Sequence, residues 1–140
     1  MKTWLVDTGP VVAYLDAGDP AHLDVADRLD GFTGQLATTS AVITEAMHLV
    51  AASRKGPRLL AEFVSVCGME VYDLCRPPEL GEAVLLMEKY ADTPMDFADA
   101  TLLLLAEGLN VHEILTLDRR GFSTYRTRQR LNLQLVLDSP

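Results

Sequence analysis

Five acidic residues stand where this sequence changes from one local pattern to another: Asp7, Glu45, Asp96, Asp99 and Asp118. Asp7 ends the apolar run Trp4 to Val6 and Asp118 ends Ile114 to Leu117, so each carboxylate falls where a buried strand reaches the rim of a sheet. Glu45 lies in the first or second turn of an amphipathic helix. Asp96 and Asp99, three residues apart, share a face at the start of another. Carboxylates crowded at one rim raise each other's pKa unless cations neutralise them. Hard divalent ions such as Mg²⁺ take oxygen ligands, need only one or two direct carboxylates and keep waters. A site of that kind polarises a phosphodiester, lowers the pKa of a bound water and stabilises the leaving oxygen.

Each acid also has a purely architectural reading. Asp7 could cap the turn containing Gly9, Asp96 could close a capping box with Thr93, and any acid in a first helical turn is favoured by the helix dipole. Glu45 could be satisfied by an arginine partner, and Asp118 by Arg119 or Arg120. Convergence of the acids on one rim is what separates the two readings. Other chemistries fail on spacing. Glu45 and His48 make one Glu-x-x-His where a di-iron bundle needs two, and His22, His48 and His112 have no zinc spacing. Neither a dinucleotide fingerprint nor a P-loop follows the first strand, and Asp7-Thr8-Gly9 lacks the second Asp of the aspartyl-phosphate hydrolases.

The elements that must position these acids alternate. Strands are expected at Trp4 to Val6, Leu36 to Thr38, Met69 to Tyr72, Ile114 to Leu117 and Leu133 to Leu137. Helices are expected from Asp19-Pro20 to Gly31, from about Ser40 to Ala52, from Leu59 to Val66, from Glu79 to Tyr90, and from Thr93-Pro94 to near Gly108. Gly9-Pro10, Gly56-Pro57 and Pro77-Pro78 read as breaks. Strands alternating with helices predict a three-layer α/β/α sandwich on a mostly parallel sheet of about five strands, formed as a single domain over residues 1–140. Ligands in such sheets bind outside the carboxyl ends of the strands, where Asp7 and Asp118 fall.

Composition is that of an ordinary globular chain, 49% hydrophobic and 23% charged, long enough at 140 residues to fold without staples. Cys67 and Cys75 are the only cysteines and lack CxxC spacing, which suits a reducing, cytoplasmic setting. No run is long and apolar enough for a membrane span. The net charge of −8 opposes a nucleic-acid partner when taken alone. Its distribution does not: Arg119, Arg120, Arg126, Arg128 and Arg130 crowd one C-terminal stretch, and bound cations would offset the acids.

Four segments, in order, carry a family resemblance: Leu5-Val6-Asp7-Thr8-Gly9-Pro10, Thr44-Glu45-Ala46, Met95-Asp96-Phe97-Ala98-Asp99-Ala100, and Ile114-Leu115-Thr116-Leu117-Asp118-Arg119 with Phe122. Over nearly its whole length the chain resembles the PIN-domain ribonucleases, and within them the VapC-like toxins of toxin–antitoxin pairs. The resemblance implies a metal-dependent endoribonuclease toxin of a type II toxin–antitoxin system, using Mg²⁺ or Mn²⁺. Its acidic quartet maps to Asp7, Glu45, Asp99 and Asp118, with Asp96 as an accessory acid and Asp7 and Asp99 as the firmest ligands. It further implies an RNA substrate, a homodimer, a small antitoxin that lays a segment over the active site, and hydrogen bonds from Thr8 and Thr116 to the carboxylates or their waters. Two other readings stay open: a PIN-like binding module acting through a protein partner without catalysis, and a phosphate-handling receiver or phosphatase fold built on Asp7.

Overall fold

Trp4, Leu5 and Val6 are buried because β1 (Thr3–Val6) is the middle strand of five. Its neighbours are β2 (Gln35–Thr39) on one side and β4 (Glu113–Leu115) on the other, with β3 (Glu70–Tyr72) and β5 (Gln134–Leu135) at the edges. All four pairings are parallel, and Leu5 sits in register with both Ala37 and Ile114. The computed structural model describes residues 1–139.

Parallel neighbours cannot be joined by a hairpin, so each connection crosses the sheet through helices. These are α1 (Thr8–Leu15), α2 (His22–Asp30), α3 (Ser40–Val50), α4 (Gly56–Val66), α5 (Pro77–Lys89), α6 (Phe97–Leu109) and the short α7 (Arg119–Thr124). Side chains alternate across a strand, and β1 therefore feeds two cores. Leu5 joins Ala37, Ile114, Leu86, Leu102 and Leu103 on the face covered by α5 and α6. Trp4 and Val6 join Leu36, Leu115, Val11, Val25 and Leu60 on the other. This is the expected three-layer sandwich.

Three of the differences from expectation share one cause. Gly9-Pro10, read as a break, lies inside α1, Pro57 stands in the first turn of α4, and Pro77-Pro78 begin α5. A proline in a first turn loses no hydrogen bond, since those N–H groups have no partner within the helix. The same signal therefore starts helices here. Elsewhere α2 begins at His22, because the Asp19 carboxylate accepts from Ala21 N at 2.8 Å and holds a turn ahead of it. The expected last strand pairs only through Gln134–Leu135 before Val136–Asp138 tightens into a 3₁₀ turn. β4 likewise leaves the sheet after Leu115, which frees Thr116 to Asp118 for the rim. Among the described residues no helix is long and apolar enough to cross a membrane.

Two glycines give opposite expectations. A Cβ at Gly56 would meet the Val50 carbonyl oxygen at 1.8 Å, so the α3–α4 corner closes only around hydrogen. Gly81, within α5, has open space on every side. Gly56→Ala should cost about 1–3 kcal/mol and Gly81→Ala should gain about 0.5–1 kcal/mol, both read from urea midpoints.

Candidate active site

Asp7 is held at the end of β1 by three hydrogen bonds. Its backbone N donates to Leu115 O at 3.0 Å, its Oδ1 accepts from Thr8 N at 2.8 Å as the N-cap of α1, and its Oδ2 accepts from the Thr116 hydroxyl at 2.7 Å. The Thr116 oxygen also accepts from Asp118 N at 3.0 Å, so one hydroxyl ties together the acids that follow β1 and β4. Asp118 in turn caps α7, its Oδ1 accepting from Gly121 N at 3.0 Å. A Cβ at Gly121 would lie 2.3 Å from Asp118 Oδ2, so any larger residue there would displace the Asp118 carboxylate.

Asp96 and Asp99 form a reciprocal capping box at the start of α6. Asp96 Oδ1 accepts from Asp99 N at 2.8 Å, and Asp99 Oδ2 accepts from Asp96 N at 3.2 Å. The expected box between Thr93 and Asp96 does not form, because the helix starts later, at Phe97. Glu45 is half-buried on the second turn of α3. That helix is capped by Thr39, whose hydroxyl meets Thr101 of α6 at 2.8 Å and links the helices bearing Glu45 and Asp99.

These elements bring all five acids named from the sequence to one open notch of about 420 Å³, lined by Asp7, Glu45, Asp96, Asp99 and Asp118 together with Thr8. It lies beyond the carboxyl ends of β1 and β4, where the strand order turns back on itself. The five carboxylates crowd one another there. Burial pushes Asp7 up to about 6, offset in part by the Thr116 and Thr8 hydrogen bonds and reinforced by the charges of Glu45 and Asp96. Asp99 is pushed up to about 8, first by burial and then by Asp96 and Asp7.

Among the described residues no three acidic, histidine or cysteine side chains stand as a ready-made cage for a cation. The hydrogen bonds explain this, since both oxygens of Asp7 and one each of Asp96, Asp99 and Asp118 are already engaged by the fold. Three observations nonetheless fit a hydrated hard ion. The donors are all oxygen, two of the anions are unstable without a counter-charge, and the buried Thr8 hydroxyl lining the notch has no partner. The sequence expectation for Thr116 holds, whereas Thr8 reaches Asp7 through its backbone N–H and leaves its hydroxyl free.

Sequence reasoning missed Tyr125. It is wholly buried, edge-on to both Tyr90 and Phe122, and its hydroxyl donates to Pro94 O at 2.9 Å and Thr93 O at 3.3 Å. Its ring also lies beside Gly121, on the same side as the Asp118 carboxylate, and its backbone N donates to Gly121 O at 2.9 Å. Tyr125 thus clamps the turn leading into Asp96 against the turn that holds Asp118. Burial, then the charges of Asp99, Asp118, Asp96 and Asp7, keep its hydroxyl protonated and able to donate. Phe122 belongs to the motif read from the sequence, but the local pattern says nothing of which carbonyls a tyrosine three residues later will reach.

No family model matches the chain. It is similar to ribonuclease VapC26 of Mycobacterium tuberculosis, 33% identical over 124 residues that span 87% of this chain and 91% of that protein. Among solved structures it is similar to VapC20 of Mycobacterium tuberculosis, a sarcin–ricin loop cleaving toxin, with a TM-score of 0.71, 19% identity, and coverage of 82% of this chain and 89% of that one. It is also similar to VapBC2 from Rickettsia felis bound to a DNA fragment from their promoter, with a TM-score of 0.65, 14% identity, and coverage of 95% and 98%. Those two likenesses are likenesses of fold.

Two measurements test the electrostatics and the clamp. Asp7 and Asp99 bind protons more tightly folded than unfolded, so the stability they confer is complete below about pH 4 and is lost as pH rises through 6 and 8. With a chelator present, urea midpoints should fall from pH 5 to pH 8.5, and Asp7→Asn should remove about 1.4 kcal/mol of that difference. Tyr125→Phe should weaken Mn²⁺ binding about tenfold by calorimetry. Tyr90→Phe, which loses a comparable bond to the Arg126 backbone, should leave it unchanged.

Proposed function

We infer that this chain, which belongs to the VapC family of ribonucleases, cuts RNA in the notch where Asp7, Glu45, Asp96, Asp99 and Asp118 converge. It is an endoribonuclease toxin of a toxin–antitoxin system. That convergence is the observation carrying the assignment of the site: five acids spread from position 7 to position 118 line one concavity, and two of them are held above the usual carboxylate range.

The cation we assign to the notch is Mg²⁺ or Mn²⁺, held by Asp7 and Asp99 with Glu45 and Asp118 completing the ring and Asp96 as the accessory acid. When bound, such an ion supplies the positive charge that draws electrons from the phosphodiester and makes water a better nucleophile. The rest belongs to the chain. Thr116 and Thr8 N fix the Asp7 carboxylate so that its remaining lone pairs face the notch. The capping box leaves Asp96 Oδ2 and Asp99 Oδ1 free of partners within the fold, and the Thr8 hydroxyl can bond a water or a phosphate oxygen. The attacking water oxygen bonds phosphorus as the bond to the leaving ribose oxygen breaks, and the proton that water gives up is returned to that oxygen, leaving a phosphate monoester and a free hydroxyl. Glu45 and Asp118, on different walls, orient that water by accepting its hydrogens.

A small antitoxin is the protein partner this reading requires. Its seat would be an apolar concavity of about 440 Å³ between α1, α2 and α4, with Tyr14, Leu29, Phe32, Leu59 and Phe63 on its walls. The homodimer implied by the family would use α5, where Leu80, Val84 and Leu85 stay exposed on one side of the helix.

Asp7→Asn and Asp99→Asn should each reduce cleavage of a single-stranded RNA in Mg²⁺ to the level of a blank. Both should unfold, free of cations, at a temperature no lower than the parent, because each removes a repelled anion. Cleavage retained by either purified variant would overturn the assignment.

A further inference from the structure

The C-terminal arginines look like the RNA-binding feature of the sequence, but the fold uses most of them itself. Arg119 pairs with Asp138 at 2.7 Å, and Arg128 pairs with Glu107 at 2.7 Å and Glu82 at 3.6 Å. Arg126 turns its guanidinium onto the carbonyls of Ser123, Thr124 and Tyr125. A different cluster is left unspent. Arg54, Lys55 and Arg58, at the α3–α4 corner, are exposed, and among the described residues none has a carboxylate within 4 Å. Together with Leu59 they line a depression of about 420 Å³.

That depression neighbours the notch by way of one intervening hollow. Leu49, one turn beyond Glu45 on α3, lines both the notch and an adjoining hollow of about 280 Å³, and Leu59 lines both that hollow and the basic depression. At the rise of an α-helix the furrow runs on the order of 10–15 Å from Glu45 to the basic corner. A molecule carrying −8 overall, with five acids at its cutting site, repels a polyanion. Three unpaired cations in one depression at the far end of the furrow are the complementary charge that a phosphate backbone needs.

We propose that Arg54, Lys55 and Arg58 form a phosphate-binding corner that holds the RNA strand a few nucleotides from the scissile bond. This rests on the ribonuclease reading of the notch. The corner raises affinity for long RNA without touching the reacting atoms.

The test compares the parent with the triple variant Arg54→Gln, Lys55→Gln, Arg58→Gln, and with Arg128→Gln, whose charge is already shared between two carboxylates. Anisotropy with a labelled single strand of about 20 nucleotides, in chelator so that nothing is cut, should show the triple variant binding at least about tenfold more weakly at low salt. Its log–log salt slope should fall by about 2, since each phosphate contact on a single strand contributes about 0.7. Arg128→Gln should match the parent. In Mg²⁺ the triple variant should show a raised KM and an unchanged kcat on the long strand, and parental cleavage of a dinucleotide, which cannot reach the corner. Unchanged affinity and slope would overturn the proposal, as would equal loss on the dinucleotide. Parental RNA binding alongside lost binding of polyglutamate would overturn it in favour of an acidic protein partner. If no protein cleaves RNA but the binding loss appears, the corner stands and the nuclease reading fails.

Discussion

A carboxylate with 8% of its surface exposed at the end of the central strand is the constraint from which the site follows. Asp7 can occupy that position only because Thr116 and the first amide of α1 solvate it in place of water, and even so burial holds its proton affinity well above that of a free aspartate. A buried polar group is tolerable when its partners are fixed, and Thr116 is fixed because β4 is in register with β1 up to Leu115. The sheet's geometry and the site's electrostatics are therefore one arrangement.

The same economy runs through the other acids. Asp96, Asp99 and Asp118 each engage one oxygen at a helix end and still line the notch. Capping and chemistry are alternative readings of such residues in a sequence, and the capping bonds observed here still leave each of them lining the notch. Tyr125 ties the turn before Asp96 to the turn that follows Asp118, so a residue outside the notch helps to set the spacing of acids that line it.

The parallel sheet and the five acids were legible because buried strands and amphipathic helices have different periods, and because an acid at the end of an apolar run is conspicuous. What was not legible had physical reasons. Gly9-Pro10 carries the same local signal whether it breaks a chain or opens a helix, and only the Asp7 cap and the burial of Val11 and Ala13 decide it. The shortness of β5 depends on how far Leu135 can pair before Val136 turns into the core. Which arginines are available is invisible in a count of charges, because Asp138, Glu107 and Glu82 reach their partners only through tertiary packing. The resemblance placed the quartet, but it did not reveal that Thr8 leaves its hydroxyl unbonded.

The central position of β1 has one further outcome, for synthesis. Its second neighbour, β4, comes only at Glu113–Leu115, long after β1 and β2 in chain order, and Asp118 follows later still. A chain emerging from the ribosome can pair β1 with β2 early, yet it has no Thr116 to solvate Asp7, and no Asp118 to line the notch, until β4 and the residues after it have been made. The concavity that gathers the five acids is thereby one of the last features of the sheet to be completed as β4 closes against β1.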